Sequence, residues 1–81
     1  MVKYTLKKST RQFKKYMAVF DDGRPSVHFG DNRYEQYRDS TPLKLYSHLD
    51  HNDNTRKGLY YVRHKTAVKY SSKWFSHKYL W

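Results

Sequence analysis

An α+β fold, made of a small antiparallel β-hairpin or three-stranded sheet and two or three short α-helices, is what the sequence predicts. Three observations predict it. Apolar residues alternate with period two early in the chain, an Asp-Gly dipeptide separates two of those runs, and the second half carries helix caps ahead of apolar residues spaced by three and four.

The hairpin is read from "KYMAVFDDGRPSVHFG". Tyr16, Ala18 and Phe20 alternate with Met17 and Val19, and Val27 and Phe29 alternate with Ser26 and His28. Asp22-Gly23 tolerates the positive φ of a tight turn between them, and Pro25 would open the second strand, where a missing N–H does least harm. Residues 2–8 alternate through Val2, Tyr4 and Leu6 and supply a third strand. "GDNRYEQYRDS" has turn chemistry at Gly30-Asp31-Asn32, followed by Tyr34 and Tyr37 in a loop or a single helical turn.

Three helices follow. Thr41-Pro42 reads as a cap followed by proline at the first helical position, opening "PLKLYSHLD" with Leu45, Tyr46 and Leu49 on one side. Asp53 or Asn54 caps "TRKGLYYVRHKT", in which Leu59 and Val62 face one way and Arg56, Tyr60 and Arg63 form a neighbouring stripe. Gly58 in its interior costs about 1 kcal/mol relative to alanine. "SSKWFSHKYLW" opens on serine caps and places Phe75 over Tyr79 and Trp74 over Lys78. The expected core is Phe20, Phe29, Leu45, Leu49, Leu59, Val62 and Trp74.

With 81 residues the chain makes one domain, 1–81, in which residues 1–14 form a basic arm or an edge strand. It has no cysteine, so neither disulfides nor a cysteine-based zinc site can brace it, and its nine tyrosines and two tryptophans must supply much of the buried area. No apolar run approaches the roughly 18 residues of a membrane span, and no secretory h-region follows Met1. The expected location is inside a cell or a particle, with no membrane partner.

Charge is unevenly placed. Residues 1–20 carry six bases and no acid, residues 21–53 carry all seven acids and four bases, and residues 54–81 carry seven bases and no acid. If both ends fold onto one side, a strongly positive face results, and such a face attracts polyanions. The stretches "YTLKKSTRQFKKY", "RKGLYYVRHK" and "KYSSKWFSHKYLW" interleave bases with rings, the pattern of phosphate contact with optional base stacking. The candidate contacts are Lys7, Lys8, Arg11, Lys14, Lys15, Arg56, Lys57, Arg63, Lys69 and Lys73. No sequence-reading motif accompanies them.

Catalytic chemistry finds little support. His48, Asp50, His51, Asp53 and His64 are suitable metal ligands by type, but the proposed helix break between Asp50 and Asp53 gives them no reason to converge. A calcium loop starting at Asp50 fails at its sixth position, Thr55, and its twelfth, Tyr61. His51, Asn52 and His64 echo the histidine-asparagine-histidine nucleases without the strand that should precede them. Ser47-His48 and Ser76-His77 are helix neighbours that point apart, and the three scattered glycines form no phosphate loop. The polar side chains of residues 47–64 are therefore expected to cap helices and fix a turn, and the protein is expected to be no enzyme and to need no cofactor, metal or small-molecule substrate.

Phe29-Gly30, Tyr34 and Tyr37, Asp50-His51 with Asp53 and Arg56, Tyr60 or Tyr61 with Arg63-His64, and the closing Phe75-Ser76 with Leu80-Trp81 together resemble a small family of unknown function found in large DNA viruses and some phages. The resemblance covers roughly residues 15 to 81. Asn54-Thr55 ahead of Arg56-Lys57, and Gly58 in the helix, depart from the pattern. The resemblance implies a viral origin and no activity. It suggests that Asp50 or Asp53 pairs with Arg56 or Arg63 and that the C-terminal tryptophan plugs the core. The reading is a non-enzymatic basic viral protein that binds nucleic acid, DNA ahead of RNA, through phosphate contacts, inside the infected cell or packaged in the virion. The alternative is a minor capsid or cement protein docked on acidic surfaces of a shell protein, and a metal-dependent nuclease ranks third.

Overall fold

The period-two runs form three strands. The computed structural model describes residues 3–81, so Val2 lies outside the described residues. Strands β1 (Tyr4–Lys8), β2 (Lys14–Phe20) and β3 (Val27–Asp31) make an antiparallel sheet in the order β1-β2-β3, with β2 in the centre. The hairpin forms, but its connection is longer than a two-residue turn: residues 21–26 link β2 to β3, with Gly23 at φ 86°. Pro25 sits in that link, ahead of β3.

Register decides the core. Tyr16, Ala18 and Phe20 project from one face of β2, opposite Phe29 and Val27 of β3 and opposite Leu6 and Tyr4 of β1. Helix α2 (Ser72–Tyr79), capped by the Ser71 hydroxyl accepting from the Trp74 amide at 3.2 Å, lies along β3 and stacks Phe75 on Phe29 with centroids 5.3 Å apart. Tyr4 meets Phe75 edge-on at 5.0 Å, and its hydroxyl lies 2.6 Å from that of Tyr79, so β1 and α2 meet through their rings in the core. The spacings expected within α2 hold, with Phe75 stacked on Tyr79 and the Lys78 ammonium 5.1 Å from the Trp74 ring.

Leu80 closes this core. It is buried and rests on Gly30, where an added Cβ would stand 2.7 Å from Leu80 Cδ1 and 3.2 Å from Lys15 Cδ. Gly30 also has φ 75°, so glycine is required there twice over. The expected tryptophan plug is thus Leu80, and Trp81 instead lies half-buried against Tyr60.

The helix expected from Pro42 does not form; only a single 3₁₀ turn, Ser47–Leu49, is present. Buried polar groups draw its amides away. The Tyr16 hydroxyl accepts from the Leu45 amide at 2.9 Å, Asp39 Oδ2 accepts from the Tyr46 amide at 3.1 Å, and Lys44 takes φ 49°. Leu45 is consequently exposed and Leu49 only half-buried.

Around this segment runs a network with few apolar members. Tyr16 donates its hydroxyl proton to Asp39 Oδ2, and Asp39 Oδ1 also accepts from the Thr41 amide at 3.0 Å and from the Thr41 hydroxyl. Asp50 Oδ1 accepts from the Asp39 amide at 2.7 Å and from Gln36 Nε2 at 2.6 Å. Gln36 Oε1 accepts from the Lys15 ammonium, which also donates to the Tyr34 carbonyl at 3.0 Å. Lys15, Gln36, Asp39 and Thr41 are all buried. The backbone of residues 36–40 is bonded on both sides: Gln36 and Tyr37 exchange bonds with Leu49, His51 and Asn52, and the Arg38 and Ser40 amides donate to Leu80 and Tyr79.

Helix α1 (Asn54–Arg63) starts as expected, with Asp53 Oδ1 accepting from the Thr55 and Arg56 amides. Its inward stripe differs from the expected one. Lys57, Tyr60, Tyr61 and His64, spaced three, one and three apart, are half-buried, while Leu59 and Val62 are 53% and 65% exposed. Tyr60 lies flat on Trp81, centroids 4.4 Å apart and planes within 4°, and the Tyr61 hydroxyl donates to the His77 carbonyl at 3.3 Å. Neither Asp50 nor Asp53 pairs with Arg56 or Arg63; Arg56 pairs with Glu35 at 2.8 Å. Of the expected core, Phe20 and Phe29 are buried and Trp74 is half-buried, while Tyr16, Ala18, Phe75 and Leu80 complete it.

Two outcomes follow for stability. Asp39→Ala would leave the Tyr16 hydroxyl and the Thr41 and Tyr46 amides without an acceptor, so a loss of about 3 kcal/mol is expected in urea titration, and a far smaller one for the exposed pair member Asp22→Ala. Burial pushes the Asp39 carboxyl up, but donors from Thr41, Tyr16 and the Tyr46 amide outweigh it and hold the group below its usual range. A folded pKa below the unfolded value of about 3.9 means that this contribution is complete above that pH and lost as acid takes the pH through the folded value.

Lys15 behaves in the opposite sense. Burial lowers its pKa to about 8, only partly countered by Asp39, Asp31 and Asp50. The folded state therefore binds fewer protons than the unfolded one between about 8 and the unfolded value of about 10.4, and stability from this group rises with pH across that window. The difference in unfolding free energy between the native chain and Lys15→Met should move in favour of the native chain from pH 8 to 10. A flat difference in paired urea titrations would contradict it.

Candidate nucleic-acid interface

The acids of the chain are largely occupied inside the molecule. Asp22, Asp31 and Glu35 pair with Arg24, Arg33 and Arg56 at 2.7, 2.7 and 2.8 Å. Asp39 and Asp50 belong to the buried network, and Asp53 caps α1. Of the 17 lysines and arginines, those three arginines are in ion pairs and Lys15 is buried. The other thirteen make no ion pair among the described residues.

The ten expected contacts have three kinds of setting. Lys7, Lys8, Arg11, Arg63, Lys69 and Lys73 are exposed, and Lys14 and Lys57 are half-buried. Lys7 stands opposite Met17, and Met17 opposite His28, on the sheet face turned away from Phe29 and Ala18. Arg56 is exposed but already paired with Glu35. Lys15 is not a surface cation: at 2% exposure, with its ammonium bonded to Gln36 and the Tyr34 carbonyl, it is withdrawn from any phosphate.

Several free cations are held in place by neutral groups. The Lys57 ammonium sits 4.4 Å from the Tyr37 ring centre, Lys69 sits 5.2 Å from that of Tyr70, and Lys78 lies beside Trp74 and Tyr79. Arg38 Nε donates to Asn52 Oδ1 at 3.2 Å, with its guanidinium 5.9 Å from the Tyr37 ring. A ring or an amide oxygen orders a cation without cancelling its charge. Arg38, Lys57 and Lys78 together line a 370 Å³ cleft with Tyr37, Tyr61 and His77. Arg38 and Lys78 were not among the expected contacts; Arg38 is masked in sequence by the acids around it, whereas Lys78 belongs to the acid-free end.

The histidines have structural settings. His51 Nδ1 accepts from the Asp53 amide at 2.9 Å, Asn52 at φ 54° accepts from Arg38, and the His64 ring lies 4.7 Å from Tyr60. Burial lowers the His51 and His77 pKa values, with Arg56 adding to the effect at His51. Among the described residues no three His, Asp or Glu side chains gather as a metal site, and no helix is long and apolar enough to cross a membrane.

Comparison with known proteins sharpens the resemblance in one respect and leaves the chemistry open. No curated protein and no solved structure matches the chain. One family model matches residues 4–64, which takes in the sheet, the buried network and α1 but stops before α2 and the Phe75-Ser76 and Leu80-Trp81 elements. The chain thus belongs to the family described as Family of unknown function (DUF5754).

Proposed function

We propose that this protein is a non-enzymatic binder of nucleic acid, DNA ahead of RNA, acting through phosphate contacts in a viral setting, within the infected cell or packaged in the particle. One observation carries the reading: six of the seven carboxylates are engaged internally, in ion pairs, the buried network or the α1 cap, while thirteen lysines and arginines remain without an ion-pair partner among the described residues. Uncompensated surface cations raise the local concentration of polyanions and release counterions on contact with a phosphate backbone. The contact set is Lys7, Lys8, Arg11, Lys14, Lys57, Arg63, Lys69 and Lys73, extended by Arg38 and Lys78, with Arg56 available only once its pair with Glu35 opens.

A second reading, a minor capsid or cement protein on an acidic shell surface, is favoured by Leu59 and Val62. They stand exposed on α1 beside Arg63, and apolar side chains flanked by a base suit a protein partner better than a phosphate backbone. It predicts co-purification with capsids emptied of nucleic acid.

Salt dependence tests the first reading. With about six phosphate contacts, DNA affinity should fall roughly a thousandfold between 50 and 200 mM salt, with no dependence on base sequence. Weak association that ignores salt in a fluorescence titration would end it.

A further inference from the structure

The cleft between Arg38, Lys57 and Lys78 differs from the remaining cationic surface in being built. Its three cations come from three parts of the chain: the doubly bonded segment 36–40, the first turn of α1 and the last turn of α2. Each is ordered by a neutral partner, Asn52 for Arg38, the Tyr37 ring for Lys57, and the Trp74 and Tyr79 rings for Lys78. No Asp or Glu lines the cleft among the described residues, and its walls add the Ser40 and Tyr61 hydroxyls. Both ring nitrogens of His77, which also lines it, are buried without a hydrogen-bond partner.

We infer that this cleft is a discrete phosphate subsite, which holds one phosphodiester of a nucleic acid strand while the other surface cations make diffuse contacts. The inference rests on the proposed nucleic-acid function and names the place where that function is anchored. Three cations lining one cleft suit a tetrahedral anion with oxygens facing several directions, and the Ser40 hydroxyl can donate to the same oxygens. A charge ordered before binding loses less side-chain entropy when the anion arrives, so each of these residues should weigh more than a freely moving lysine.

The test uses the full chain and a labelled single-stranded oligonucleotide. Arg38→Ala, Lys57→Gln and Lys78→Gln are each expected to weaken binding about tenfold, whereas Lys65→Ala and Lys73→Ala, which remove the same charge elsewhere, should weaken it under about threefold. Lys57→Arg should retain most of the affinity. Inorganic pyrophosphate should displace the oligonucleotide at concentrations where sodium chloride of equal ionic strength does not. Lys57 and Lys78 do not take part in the backbone bonds of segment 36–40, so their variants remain informative if Arg38→Ala fails to fold. Equal losses in all five charge-removing variants, or pyrophosphate no better than chloride, would overturn the subsite and leave the wider function standing. A native chain that binds no oligonucleotide at low salt would overturn both.

Discussion

The bond network from Lys15 through Gln36, Asp50 and Asp39 to Tyr16 and Thr41 is what the remaining structure depends on. It fastens the sheet to a segment with no regular secondary structure of its own. Tyr16 belongs to the aromatic core by its ring and to the polar network by its hydroxyl, so one residue joins the two. Buried polar groups are stable only when bonded, and here each carboxylate serves several donors. Because Asp39 and Asp50 also hold the amides of Tyr46 and of residue 39, they do the work that a helix between residues 42 and 50 would otherwise do.

That arrangement explains which parts of the fold were legible in the sequence. The strands were legible because Tyr16-Ala18-Phe20 and Val27-Phe29 carry a local period, and α1 and α2 because Asp53 and Ser71 are local caps. The failed helix at Pro42 had equally good local signals. Tyr16, 29 positions from Leu45, and Asp39 overrode them through contacts that no local pattern records. The core of α1 was misread for another reason: Leu59 and Val62 outrank tyrosine in hydropathy, yet the stripe Lys57-Tyr60-Tyr61-His64 faces Trp81 and His77. In a chain this rich in tyrosine, ring area outweighed aliphatic character.

The candidate interface was legible to a similar degree. Acid-free ends announced a basic surface, and most of the named lysines and arginines are indeed exposed. Sequence could not announce that Lys15 is internal, because its partners Tyr34 and Gln36 lie 19 and 21 positions away. Nor could it bring Arg38, Lys57 and Lys78 to one cleft, since that convergence depends on segment 36–40 being held between residues 49–52 and the end of α2.

The rings beneath Lys57 and Lys78 give these lysines an unusual chemical sensitivity. Methylation keeps a lysine cationic and leaves its attraction to a ring face intact, whereas acetylation removes the charge and with it both the ring contact and the attraction for anions. Of the two modifications, similar in size, one would therefore leave the cleft cationic and the other would neutralise it. The phosphate affinity we propose for the cleft would survive reductive methylation and be lost on chemical acetylation.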